Sequence, residues 1–229
     1  MSTISSVFFK LCGIPKSRIY IETGTYRGDN LRKVIGQFDS CISIELDKSW
    51  YDFNDKYFSI YKNVTLIHGD SSEKLKSIKL NASDCVTIFL DAHFSGPTAA
   101  RGNKDTPLLK ELEVLKAQLT KNIVIIIDDA RLLGQSGWQM GDGRKYLPFE
   151  SDWSNITLTE IKNRLPLNFK ILENSNRWAS TGSADQLICF QVSSRRWKLI
   201  KFYDSLRPLH ILGLTSRHNL IYRIRRILS

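Results

Sequence analysis

Five short apolar runs in this sequence each close on an acid. Ile19 to Ile21 leads to Glu22, Cys41 to Ile44 to Glu45, and Val64 to Ile67 through His68-Gly to Asp70. Cys85 to Leu90 then leads to Asp91, and Ile123 to Ile127 to the pair Asp128-Asp129. One acid after an apolar run is commonplace, but five in succession are hard to ascribe to solvated loops. The first run breaks into Glu22-Thr23-Gly24-Thr25-Tyr-Arg-Gly28, where two glycines let the backbone pass close to a ligand. A dinucleotide site would carry Gly-x-Gly-x-x-Gly, with pyrophosphate seated on a helix N-terminus. Here Glu22 holds the place of the first glycine, and its carboxylate would repel a phosphate while suiting a cationic or hydroxyl-bearing ligand. Glu45 lies 17 residues after Gly28, about where an acid grips ribose hydroxyls in nucleoside-binding sheets. Asp70, followed by Ser71 and Ser72, suits either an adenine amine or a helix cap.

The last acids suggest a second chemistry. Carboxylates from Asp91, Asp128 and Asp129 at the ends of neighbouring strands could converge on one hard cation such as Mg²⁺. A bound cation lowers the pKa of a substrate hydroxyl and orients it. His93, two residues beyond Asp91, is a candidate proton acceptor. Helix capping and loop hydrogen bonds are the plainer roles for the three acids, and a rim histidine is the plainer role for His93.

The elements that must position these residues are strands alternating with helices. Strands are expected at 18–22, 41–45, 64–67, 85–90, 123–127, 169–172 and 186–192. Helices are expected at about 28–37, 48–58, 71–78, 106–119 and 158–165, with a leading helix in 1–17. This alternation implies a Rossmann-like, seven-stranded, mostly parallel sheet with helices on both faces. The short polar link between the last two strands makes one of them antiparallel. The ligand crevice then lies at the C-terminal strand ends, where the acids are. Two loops, 94–105 and 131–153, are long enough to form an acceptor pocket. Trp138 and Trp153 are candidate platforms for a sugar ring, and Arg101, Lys104, Arg131, Arg144 and Lys145 are candidate anion contacts.

The chain has 229 residues, enough for one full domain with length to spare. No run approaches the roughly 18 apolar residues of a spanning helix, and Met1 to Lys10 lacks the pattern of a signal peptide. The four cysteines have no metal-type spacing and read as buried small hydrophobes in a reducing compartment. Of the net charge of +10, +8 comes from Arg195 onward, where nine Lys or Arg face one acid, Asp204. The basic character therefore belongs to a tail. Residues 1–193 are read as the domain and 194–229 as a basic amphipathic extension. Such an extension suits an anionic membrane surface or a partner enzyme. It could equally pack on its own domain or on a dimer mate, making a homo-oligomer. Nucleic acid is a weaker partner, because no recognised binding motif accompanies the charge.

Taken in order, Glu22-x-Gly24-x-x-x-Gly28, Ser43-Ile-Glu45, His68-Gly-Asp70 and the later acids resemble the class I S-adenosylmethionine (SAM)-dependent methyltransferases over residues 18–192. The resemblance implies Glu22, Thr23, Gly24, Thr25 and Gly28 near the methionine moiety, Glu45 and Leu46 at the ribose, Asp70 and Ser71 near the adenine, and Asp91 beside the cofactor. Ile88-Phe-Leu-Asp-Ala-His93 and Ile125-Ile-Ile-Asp-Asp129 look like the metal-dependent sugar O-methyltransferases, and also like a group of uncharacterised bacterial and viral methyltransferase-like proteins. That likeness implies Mg²⁺ or another divalent cation on Asp91, Asp128 and Asp129. It makes Asp91 and His93 the catalytic pair, and brings the acceptor to His93, Arg131 and Trp138. The implied function is O-methylation of a sugar or glycan in the cytoplasm, with the tail able to hold the enzyme at the inner face of a membrane or against a glycosyltransferase. The alternatives are a nucleic-acid or small-phenol methyltransferase, or a binding module without catalysis.

Overall fold

A computed structural model describes residues 13–14, 16–139, 149–174 and 186–205. Seven strands form one sheet in the order β3-β2-β1-β4-β5-β9-β8. They are β1 (Ile19–Thr23), β2 (Ser40–Glu45), β3 (Val64–His68), β4 (Val86–Leu90), β5 (Ile123–Ile127), β8 (Phe169–Asn174) and β9 (Gln186–Gln191). The first five pair in parallel, and β9 is antiparallel to both β5 and β8. The helices are α1 (Asp29–Val34), α2 (Lys48–Phe58), α3 (Ser71–Lys74), α4 (Leu108–Lys116), α5 (Leu158–Arg164) and α6 (Ser194–Ser205).

Both faces of the sheet are apolar because both are covered. Every residue of β4 and β5 is buried, as the unbroken runs Val86–Leu90 and Ile123–Ile127 require of central parallel strands. Successive side chains point to opposite faces. Ile21, Ile88 and Ile125 meet Leu108, Leu112 and Leu115 of α4 and Ile161 of α5. Tyr20, Phe89 and Ile126 meet Leu31 and Val34 of α1 and Phe58 of α2. The helix starts follow from their caps. Asp47 accepts from the backbone N–H of Ser49 and Trp50 to begin α2, and Asp70 accepts from Glu73 to begin α3. Thr157 accepts from Glu160 to begin α5. Gly28, at φ 74, ends the first turn in a left-handed conformation, so α1 starts one residue later than the spacing predicts.

One expected loop holds regular structure. Within 131–153, β6 (Ser136–Gln139) and β7 (Phe149–Asp152) pair antiparallel as a separate two-stranded sheet. Its strands are four residues each; β7 alternates buried and exposed along Phe-Glu-Ser-Asp, but only Phe149 there is apolar, and in β6 Gly137 sits at φ 98, so the sequence shows no hydrophobic alternation. In α6, Ile200 is fully buried and Trp197 meets Phe190 of β9, ring centroids 6.0 Å apart. The start of the basic extension therefore packs beside the sheet. Most of the expected leading helix, the candidates Arg144 and Lys145, and the tail beyond 205 lie outside the described residues. No described helix is long and apolar enough to cross a membrane.

Candidate active site

Strand register brings the acids together. Thr23 pairs with Ile44 and with Leu90, Leu90 with Ile127, and Ile44 with Ile67. The next residue of each strand therefore stands in one row, which sets Gly24, Glu45, Asp91 and Asp128 side by side. A cavity of about 820 Å³ opens above this row. Gly24, Thr25, Glu45, Leu46, Asp70, Ser71, Asp91, His93, Asp128, Asp129 and Arg131 all reach its wall. Glu22, Thr23, Gly28 and Trp138 do not.

Glu22 instead lies beneath the cavity floor. It is 1% exposed, and its carboxylate accepts from Tyr20 Oη at 2.9 Å and Ser43 Oγ at 2.7 Å. Ser43 Oγ in turn lies 2.5 Å from Thr25 Oγ1. Burial pushes Glu22 up to about 7, against the pull of its two hydrogen bonds. Its role is to brace the turn from below, not to meet a ligand's positive charge. Gly24 is required where it stands. Its φ is +80, and a Cβ there would lie 2.6 Å from the carbonyl oxygen of Asp91. Gly24→Ala should cost about 2 kcal/mol or more, read as a lower midpoint in urea denaturation.

Glu45 holds the next turn. Its Oε2 accepts from Tyr26 N at 2.6 Å and its Oε1 from Asp47 N at 2.7 Å. Burial raises its pKa and these backbone donors oppose the rise. Tyr26, at φ 48, packs its ring 4.9 Å from that of Trp50, and both residues bond Thr98 of the 94–105 loop. Asp70 caps α3 and also reaches the cavity wall, so the capping and ligand roles are compatible.

The acids of the second chemistry gather around His93. His93 Nδ1 lies 3.3 Å from Asp91 Oδ1, and Nε2 lies 2.7 Å from Asp129 Oδ2. Arg131 pairs with the other oxygen of Asp129, and Asp129 adopts a left-handed backbone at φ 51. Burial alone would lower the His93 pKa, but Asp129 and Asp91 outweigh it and hold it well above its usual value. Burial would likewise raise Asp129, yet His93 and Arg131 bring it down to about 2. Burial raises Asp91, with the His93 contact opposing. The two carboxylates thus favour the imidazolium form of His93.

This geometry does not support two expectations, His93 as proton acceptor and a divalent cation on Asp91, Asp128 and Asp129. With a carboxylate at each ring nitrogen, a charged His93 has no lone pair to take a substrate proton. The imidazolium also occupies the space between Asp91 and Asp129 that a cation would need. Among the described residues no group of three or more His, Cys, Asp or Glu is placed to hold a metal ion. The donor set as arranged does not fit Mg²⁺.

Asp128 stands apart from that network. Its Oδ1 accepts from Gln186 Nε2 at 2.8 Å, and its Oδ2 has no hydrogen-bond partner among the described residues. Burial first, then the charges of Asp91 and Asp129, push its pKa up to about 8. Gln186 starts the antiparallel strand β9, so only the folded sheet brings it to Asp128.

The aromatic candidates part company. Trp153 is 2% exposed and meets His93 edge-on at 5.5 Å, so it is a wall of the core and not a sugar platform. Trp138 is 76% exposed on β6, away from the cavity.

Glu111 is a site neighbour that the sequence reading lacks. It is 1% exposed on α4, and contacts with Ser71 and Thr23 tie it to the floor. The available signal was its place at i+3 in the apolar stripe Leu108, Leu112, Leu115. Burial pushes its pKa from 4.5 up to about 7. The folded chain therefore keeps a proton that the unfolded chain releases, and stability falls as pH rises through that window. Glu111→Gln should remove roughly 2–4 kcal/mol of this fall. Denaturation at pH 5 and pH 8 checks this: the gap between the two should shrink in the variant.

No protein-family model and no curated protein sequence matches the chain. Among solved structures it is similar to a SAM-dependent methyltransferase from Clostridium acetobutylicum, at 12% identity over 82% of this chain and 89% of that one, TM-score 0.47. It is similar to a SAM-bound amino pentose methyltransferase from Micromonospora echinaspora, at 11% identity over 81% and 89%, TM-score 0.46. A spermidine synthase from Thermotoga maritima matches at 12% identity over 80% of this chain but 55% of its own length, TM-score 0.47.

Proposed function

We propose that the chain is a SAM-dependent O-methyltransferase acting on a hydroxyl of a sugar or glycan. The observation that carries this reading is the level row Gly24, Glu45, Asp91 and Asp128 along one wall of a single cavity of about 820 Å³. That volume lies within the usual range for a bound small molecule.

Bound SAM supplies a methyl group on a positively charged sulfur. Glu45 keeps lone pairs beyond those its two backbone donors use, and accepts from the ribose hydroxyls. Leu46, 38% exposed, offers apolar surface beside it. Asp70 accepts from the adenine amine while capping α3. Gly24 and Thr25 frame the methionine end, braced from below by Glu22 through Ser43. Asp128 takes the proton of the acceptor hydroxyl, since it lines the cavity, its Oδ2 has no partner among the described residues and its pKa of about 8 suits proton transfer near neutrality. The Asp91–His93–Asp129 chain fixes the floor next to it and, by its negative excess, keeps the Asp128 pKa high.

The test is transfer of label from methyl-tritiated SAM to a panel of free and phosphorylated sugars, with Mg²⁺ and with EDTA. Labelled sugar ether in both conditions supports the reading. Label that requires Mg²⁺ together with Asp91 and Asp129 would restore the metal mechanism. Label in catechol or RNA alone would move the acceptor to those classes.

A further inference from the structure

Resting on that reading, we propose that the acceptor carries a phosphate group and that Arg27, Lys33, Lys104 and Lys110 seat it at the cavity wall. All four line the cavity. None makes an ion pair with a described residue. Three carboxylates of the same cavity are engaged by cationic side chains, Asp91 and Asp129 by His93 and Asp105 by Arg101 at 2.6 Å. Of the described anion candidates from the sequence, Arg101 and Arg131 are already paired with Asp105 and Asp129. Lys104 remains for a ligand, and the cavity adds Arg27, Lys33 and Lys110 to it.

Arg27 is held in position without an acid. Its guanidinium lies 5.2 Å from the Tyr26 ring centroid and 5.9 Å from that of Trp50. Those rings are themselves fixed. Tyr26 Oη lies 2.7 Å from Thr98 Oγ1, Trp50 Nε1 donates to Thr98 O at 2.9 Å, and Asn54 Nδ2 donates to both backbone carbonyls, at 2.5 and 2.8 Å. A guanidinium stacked on rings keeps its N–H edge free, and that edge matches two oxygens of a phosphate. Lys33 comes from α1, Lys110 from α4, and Lys104 from the loop that leads into α4. Four cations lining one cavity with no ion pair among the described residues raise the local concentration of anions in the cleft.

The experiment is calorimetric titration of the full chain with sodium pyrophosphate at saturating S-adenosylhomocysteine. Pyrophosphate should bind, and its Kd should rise at least about tenfold in Arg27→Gln and in Lys104→Gln/Lys110→Gln. S-adenosylhomocysteine affinity should stay within about twofold in the double lysine variant. Absent pyrophosphate binding, or equal binding by all three proteins, overturns the phosphate seat while intact S-adenosylhomocysteine binding leaves the methyltransferase reading standing. Failure of the wild type to bind S-adenosylhomocysteine overturns that reading itself. Much tighter binding of single-stranded d(T)20 than of pyrophosphate, lost in the double lysine variant, overturns the small phosphorylated acceptor in favour of nucleic acid.

Discussion

Glu45→Gln should weaken S-adenosylhomocysteine binding by about 10- to 100-fold, since each hydrogen bond to a charged acceptor contributes roughly 1.5–3 kcal/mol. Two losses add. The ribose hydroxyls lose an ionised acceptor at the C-terminal end of β2. The turn also loses one of its anchors, because a glutamine amide cannot accept from both Tyr26 N and Asp47 N as Glu45 does. The second loss shows as a lower melting temperature, so affinity and stability must be measured on the same preparation. Unchanged affinity in a folded variant would remove Glu45 from the ligand and leave it as a loop brace only.

Asp128→Asn should reduce methyl transfer by about 10²–10⁴-fold, the usual span for loss of a general base. The substitution keeps Oδ1, and with it the bond from Gln186 Nε2, so the fold and nucleoside affinity should change little. The pH dependence separates this from a positioning effect. A base must be ionised to act. With its pKa raised to about 8, the wild-type rate should climb with pH and level off above that value. The residual rate of Asp128→Asn should lack this climb. A variant with the wild-type profile would return the proton-acceptor role to His93. That in turn would need His93 to lose its proton despite two flanking carboxylates.

The parallel part of the sheet was legible because its five strands are largely apolar runs and each is followed by an acid. The row at the crevice followed from the same fact. Runs such as Val86–Leu90 and Ile123–Ile127 end level only when paired in register, and the acid one residue on then falls into line. Three features lay beyond such reasoning. The β6–β7 hairpin is short and contains Gly137, so no period marks it. The His93 bridge depends on Asp129 turning left-handed, which brings its carboxylate to Nε2, and residue type alone does not fix that turn. Trp138 and Trp153 look alike in sequence, yet one lies on an exposed hairpin and the other against His93 in the core. Acids at strand ends are placed by the backbone and can be read. What each carboxylate then touches is decided by side chains from distant segments, as with Gln186 on Asp128, 58 residues apart.

The central claim is that the row of strand ends binds the adenosyl ligand, and calorimetric titration of the wild-type chain with S-adenosylhomocysteine tests it most directly. The account predicts one site with Kd between about 1 and 100 μM, corresponding to roughly −8 to −5.5 kcal/mol. No heat and no shift in melting temperature with folded protein at millimolar ligand would contradict it.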